Sequence, residues 1–243
     1  MEVETGYVRA ITNLTRAESN SGKVYYLESY NHVLGSAVEP GSTFKLASLM
    51  TCLESGKIQL NDSIDTGKGI AYFHNQPMKD SNWDQGGHGK ISLEQVFSMS
   101  SNIGSALAVK QCFSLEPQKF LDGLQKIGVT NPLGVNLVGE GAPQVYTSVG
   151  EGAWSGLSLT QMAIGYEVTQ TPLQTLALYS AVANNGVMMK PVFVTETRRK
   201  GEMVSEFGPI HLIPASFTFF ENSAFSDKKP YPGCIASTFK AFA

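Results

Sequence analysis

Residues 39 to 50 read EPGSTFKLASLM, which places Ser42 directly after Pro40-Gly41 and Lys45 three positions later. A serine hydroxyl is a weak nucleophile until a neighbouring base takes its proton. At the first turn of a helix its oxygen also sits at the positive end of the backbone dipole, which favours developing negative charge. A lysine three residues on lies on the same helix face within reach of that oxygen, and partial desolvation lowers its pKa toward that of a usable base. The plainer reading is an N-cap serine and a solvated lysine at the start of a buried helix, since Ser-x-x-Lys occurs by chance in many helices. About 55 residues downstream, FSMSSNIGSALAV offers Ser100-x-Asn102 where one capped helix gives way to another. A hydroxyl and an amide on such a connection can project into a cleft, or can simply cap a helix–helix turn.

The elements around these residues follow from periodicity and punctuation. MEVETGYVRAI reads as a hairpin turning at Thr5-Gly6, with Tyr7 to Ile11 as the return strand. From Ser42 to Ser55, apolar residues recur at helical spacing, and Gly56 is a natural stop. Residues 61 to 90 are rich in Gly, Asn and Asp and read as a long irregular excursion, a length uncommon without function. Ser92-Leu93-Glu94-Gln95, Ser158-Leu159-Thr160-Gln161 and Thr171-Pro172-Leu173-Gln174 carry the capping-box pattern, and the last adds proline at the favoured first helical position. Ser114 is a fourth candidate cap, opening a helix through Phe120, Leu121, Leu124 and Ile127 to Gly128. The helix after Thr171 carries Leu173, Leu176, Ala177 and Val182 inward and stops at Asn184-Asn185-Gly186. KPVFVTETR then returns to a strand pattern. Hairpin, grouped helices and strand point to an α+β or mixed α/β domain.

Composition closes off several functions. The 243 residues carry a net charge of −3 with no basic face, so nucleic acid is a poor partner. No apolar run approaches a bilayer span and no signal peptide opens the chain. Cys52, Cys112 and Cys234 are odd in number and far apart, which suggests neither a disulfide framework nor a zinc site. His32, His74, His88 and His211 never fall at the i, i+4 spacing of a metal pair. QGGHGKIS lacks the order of a phosphate-binding loop, no Gly-x-Gly-x-x-Gly follows a strand, and the sequon at Asn13-Leu14-Thr15 reads as chance.

Ser-x-x-Lys after Pro-Gly, followed by Ser-x-Asn, makes two of the three motifs of penicillin-binding proteins and serine β-lactamases. EPGSTFK, SSNIG, GVNLVGEGAP and the run from Ser158 to Val194 resemble the transpeptidase domain of class B penicillin-binding proteins, within that class the septal cell-division transpeptidases. The resemblance runs from about Glu2 to Gly208. It implies an antiparallel sheet with a helical subdomain. It also implies that Ser42 attacks the penultimate D-Ala carbonyl of a peptidoglycan stem peptide ending in D-Ala-D-Ala, with Lys45 as base. Ser100 would relay a proton to the departing D-Ala, and Asn102 would bind the donor peptide backbone. β-Lactams would acylate the same serine, the Ser42 N–H would serve the oxyanion, cell-division proteins would be partners, and no metal or cofactor is called for.

The third motif, Lys-Thr-Gly or Lys-Ser-Gly, occurs nowhere in the chain. In the family that strand binds the substrate carboxylate and gives the second oxyanion N–H, whose loss typically costs about 10²–10³ in rate. KKPYPG at 228 to 233 does not replace it, because proline removes backbone donors. The expectation is therefore a partial transpeptidase domain over 1–208 and an unmatched tail over 209–243, which holds six of the 13 phenylalanines and shows no period. A displaced reading frame would explain the break. The family's inner-membrane anchor and preceding domain, which place the enzyme facing the periplasm, are likewise not in these residues, so the domain is expected to be truncated at both ends. The alternative function is a catalytically impaired remnant, at most a penicillin-binding module, with an exposed strand edge and poor stability. A β-lactamase would need a water-activating carboxylate, for which Glu140, Glu151 and Glu167 are the candidates.

Overall fold

The helix that carries Lys45 is the centre of the molecule. In the computed structural model, which describes residues 1–213, Gly41–Phe44 form a 3₁₀ turn that runs directly into helix α2, Lys45–Glu54. Every α2 residue from Lys45 to Leu53 is buried. That burial on all sides is possible because α4 (Asn102–Phe113) and α5 (Pro117–Ile127) pack against it, and α4 in turn meets a short α6 (Ser158–Met162). Phe120, Leu121, Leu124 and Ile127 of α5 all point inward at the expected i, i+3/i+4 spacing, and Gly128 ends the helix at φ 84°. Helix α7 (Pro172–Ala183) opens with the Thr171/Gln174 capping box, while α3 (Leu93–Ser98) opens with that of Ser92/Gln95.

The strands are all short and, among the described residues, pair two by two in antiparallel ladders. β1 (Leu14–Glu18) pairs with β2 (Val24–Glu28), β3 (Ser63–Asp65) with β6 (Lys90–Ser92), and β4 (Ile70–Phe73) with β5 (Gln76–Lys79). β7 (Met188–Met189) pairs with β10 (His211–Ile213), and β8 (Glu196–Arg199) with β9 (Glu202–Glu206). A four-residue α1 (His32–Gly35) lies against α7. No helix among the described residues is long and apolar enough to cross a membrane.

Several local expectations are corrected. The opening residues form a closed turn instead of a hairpin. Gly6 N–H bonds the Glu2 carbonyl, leaving too short an arm to pair, so Tyr7 bridges in parallel to Val192. The first hairpin lies later, at 14 to 28. The stretch 61 to 90 is not irregular throughout: it holds β3 to β6, and β4 turns into β5 through His74 and Asn75, both at positive φ as a two-residue hairpin turn requires. Ser158 does not cap α6, because its hydroxyl accepts from Ser155 N–H instead. Ser114 closes α4 and does not open α5. Leu176 is exposed, since α7 buries Leu173, Ala177, Leu178, Ala181 and Val182 on its other faces. KPVFVTETR becomes regular strand only from Glu196. The phenylalanine-rich segment beyond residue 213, with Cys234 and the KKPYPG stretch, lies outside the described residues.

Candidate active site

Ser42 sits in the middle of the 3₁₀ turn, exposed to solvent. It is not a helix cap: neither the 3₁₀ turn nor α2 has a side-chain cap bond, and among the described residues the Ser42 hydroxyl makes no hydrogen bond. In a 3₁₀ turn side chains at i and i+3 eclipse, so Ser42 stands over Lys45 more directly than an α-helix would place it. The turn is fixed from behind. Gly41 N–H bonds the Gly165 carbonyl at 3.1 Å, and a side chain at Gly165 would collide with the Gly41 carbonyl. From α7, the Tyr179 hydroxyl donates to the Thr43 carbonyl at 3.2 Å.

Lys45 is 1% exposed, an unusual place for an amine. Its Nζ donates to the Ser100 carbonyl at 2.5 Å, to Ser100 Oγ at 3.0 Å and to Asn102 Oδ1 at 2.7 Å. Three donors thus meet three acceptors, all on Ser100 and Asn102 at the junction of α3 and α4. Burial pushes the Lys45 pKa from the usual 10.5 down to about 8, against the opposing pull of the Asp80 carboxylate. A neutral Lys45 has a lone pair for one of these contacts, and Ser100 Oγ–H is positioned to donate into it.

The α3–α4 turn keeps both of its readings, divided among three residues. Ser101 is the cap: it is buried, and its Oγ accepts from Gly104 N–H at 2.9 Å. Ser100 and Asn102 flank it and are released to face Lys45. Ser100 adopts φ 53°, a left-handed conformation costing roughly 1–3 kcal/mol for a non-glycine residue, and such strain clusters at functional sites. Gly104 is required here because any side chain would run into Val96 of α3.

Sequence reasoning singled out Ser42, Lys45, Ser100 and Asn102, and the structure gathers the last three by direct hydrogen bonds with Ser42 one turn away. It missed Asp80, which is buried within the stretch read as irregular. A single aspartate in a Gly/Asn-rich segment carries no spacing signal. Glu140 accepts the backbone N–H groups of Leu133, Gly134 and Val135, and Glu151 those of Thr147 and Ser148. With Glu167, whose N–H bonds Glu39, they make no hydrogen bond to Ser42, Lys45 or Ser100 among the described residues. No cluster of three metal-ligating side chains occurs among the described residues, and the thiols of Cys52 and Cys112 are free and buried.

Residues 1–212 match the family of the penicillin binding protein transpeptidase domain. The chain belongs to that family. It is 26% identical over 213 residues to penicillin-binding protein PbpB of Mycolicibacterium smegmatis, covering 85% of this chain and 31% of that protein. To peptidoglycan D,D-transpeptidase FtsI of Escherichia coli K12 it is 26% identical over 201 residues, covering 81% of this chain and 31% of that one. The fold is also similar to the crystal structure of penicillin binding protein 3 from Mycobacterium tuberculosis complexed with aztreonam, with a TM-score of 0.65 and 26% identity over 79% of this chain and 41% of that chain. The chain thus spans about a third of the length of these curated relatives, within the transpeptidase domain of a class B penicillin-binding protein. The mixed architecture of grouped helices and antiparallel strand pairs is that of the family.

Proposed function

We propose that this chain performs the acyl-serine chemistry of a peptidoglycan D,D-transpeptidase in septal cell-wall synthesis, with Ser42 as nucleophile. The observation that carries the reading is the buried amine of Lys45, bound to Ser100 Oγ and Asn102 Oδ1 beneath an exposed, uncapped serine. In its neutral form Lys45 takes the Ser42 proton as Oγ attacks the penultimate D-Ala carbonyl. The Ser42 N–H, in the 3₁₀ turn, faces the developing oxyanion. As the tetrahedral centre collapses, the C–N bond breaks and the leaving D-Ala amine takes a proton from Ser100 Oγ, which Lys45 replaces. An amine of a neighbouring strand then attacks the acyl-enzyme, forms the cross-link and returns the proton to Ser42. Asn102 binds the backbone of the donor peptide.

A β-lactam enters the same sequence at its ring carbonyl, but its amine stays tethered and the acyl-serine persists. The relatives named as penicillin-binding proteins, and the aztreonam complex among the similar structures, support β-lactam binding here. Cell-division proteins as partners rest on the similarity to FtsI alone. The proposed catalytic unit is 1–208, to which β10 (His211–Ile213) adds a short ladder with β7. A second reading, acylation without turnover, is favoured by one observation: the chain contains neither Lys-Thr-Gly nor Lys-Ser-Gly.

Intact-protein mass after incubation with penicillin, beside a Ser42→Ala control, tests the proposal. A one-penicillin increase lost in the control supports it, and no increase on a folded sample refutes it. Release of D-Ala from a D-Ala-D-Ala peptide then separates the transpeptidase from the acylation-only module.

A further inference from the structure

Asp80 follows β5 and is 1% exposed. Oδ2 accepts from Ser101 Oγ at 2.9 Å and Oδ1 from the Ile103 N–H at 3.1 Å. Its own N–H is bonded to the Gly69 carbonyl at 3.0 Å, which ties it to the start of the β4–β5 hairpin. The preceding residue joins the grip, because the Lys79 carbonyl accepts from Asn102 Nδ2 at 2.8 Å. Two successive residues of one segment therefore hold three successive residues at the start of α4, Ser101 to Ile103. Ser101 alone already caps α4, so a second, charged acceptor is more than a helix start needs. Burying a carboxylate costs several kcal/mol unless hydrogen bonds and an opposite charge offset it. Both are present at Asp80: an orphan N–H of α4 together with the Ser101 hydroxyl, and the amine of Lys45.

We infer that Asp80 is a positioning residue for acylation, clamping the start of α4, and with it Ser100 and Asn102, onto Lys45, with its buried carboxylate as the amine's counter-charge. This rests on the proposed function above. From the α3–α4 turn Lys45 meets only the neutral Ser100 and Asn102. From α7, Tyr179 lies at the turn ahead of it, and burial raises its phenol above the usual 10, keeping it neutral. The Lys79 amine is turned away onto the Trp83 ring, 3.8 Å from its centroid. Among the described residues Asp80 is the charge acting on Lys45.

The test compares the wild-type chain, Asp80→Asn and Ser101→Ala by their rates of penicillin adduct formation across the acid limb of the pH profile. Asp80→Asn is expected to slow acylation about 10–100-fold through misplacement of the turn. It is also expected to move the acid midpoint to lower pH by about one unit, because an amine without its counter-charge gives up its proton more easily. Ser101→Ala keeps the charge, so it slows acylation with the midpoint unmoved. An Asp80→Asn variant that is merely slower at an unchanged midpoint overturns the charge role, and a wild-type rate in either variant overturns the clamp. If Asp80→Asn does not fold, the rate of Ser101→Ala decides. If the wild type forms no adduct, the proposed function itself fails, and NMR titration of Lys45 in wild type and Asp80→Asn still reads whether Asp80 sets the amine's charge.

Discussion

The helices around α2 and the outlying hairpins β1–β2 and β8–β9 both carry apolar residues but use them in opposite ways. In the helical half nine consecutive α2 residues are buried, and α5 turns four apolar side chains inward. Every strand residue of these hairpins but Ala17 is exposed, with Tyr26 at 62% and Val204 at 63%. A two-stranded ladder buries neither face and is marginal in water by itself, whereas a helix can be enclosed by two or three others. The reacting groups follow this division. Lys45 stands at a helix start inside the enclosed half, with the exposed Ser100 and half-buried Asn102 held over it at the α3–α4 junction, where the backbone is over-determined and a strained Ser100 is tolerated.

The contrast sets the order of the expected effects. Lys45→Ala should lower the rate of penicillin acylation by about 10²–10⁴-fold, the usual contribution of a positioned base, in single-turnover mass measurements. Phe120→Ala, which empties a fully buried site between helices, should cost about 3–5 kcal/mol in denaturant unfolding. Acylation should also fall about tenfold per pH unit below a midpoint near 8, because below that value Lys45 keeps its proton. The same shift has a stability signature. Between 8 and 10.5 the unfolded chain holds a proton that the folded one has released, so Lys45's contribution rises with pH across that window. Thr171→Ala should remove about 1 kcal/mol by breaking the α7 capping box, seen as a lower melting temperature. Tyr26→Ser on β2 should change stability by no more than about 0.5 kcal/mol, and amide exchange should be fast in both hairpins and slow in α2 and α4. A hairpin substitution as costly as Phe120→Ala would break the comparison, since it would mean that something covers those faces.

Local chemistry was legible wherever it was complete within one turn. Ser92/Gln95 and Thr171/Gln174 each close a reciprocal pair of bonds over four residues, and both boxes formed. Ser158 and Ser114 carry equally good local patterns, but the Ser155 N–H and the end of α4 claimed them first. Leu176 fits the helical period yet faces solvent, because period alone does not say which side of α7 has a partner.

The sequence by itself determined that Ser42 and Lys45 share one helical start, since three residues of helix bring two side chains to one face whatever surrounds them. It determined Ser100 and Asn102 only as two polar side chains on the connection that follows a capped helix. Tertiary structure alone decided that the two pairs meet, across 55 residues, with the Lys45 amine on both Ser100 and Asn102. It alone decided that Lys45 is dry enough for its pKa to fall, that Ser101 takes the capping duty, and that Asp80 stands behind the turn. Desolvation and long-range hydrogen bonds belong to the packed arrangement of several segments, and no single segment's composition contains them.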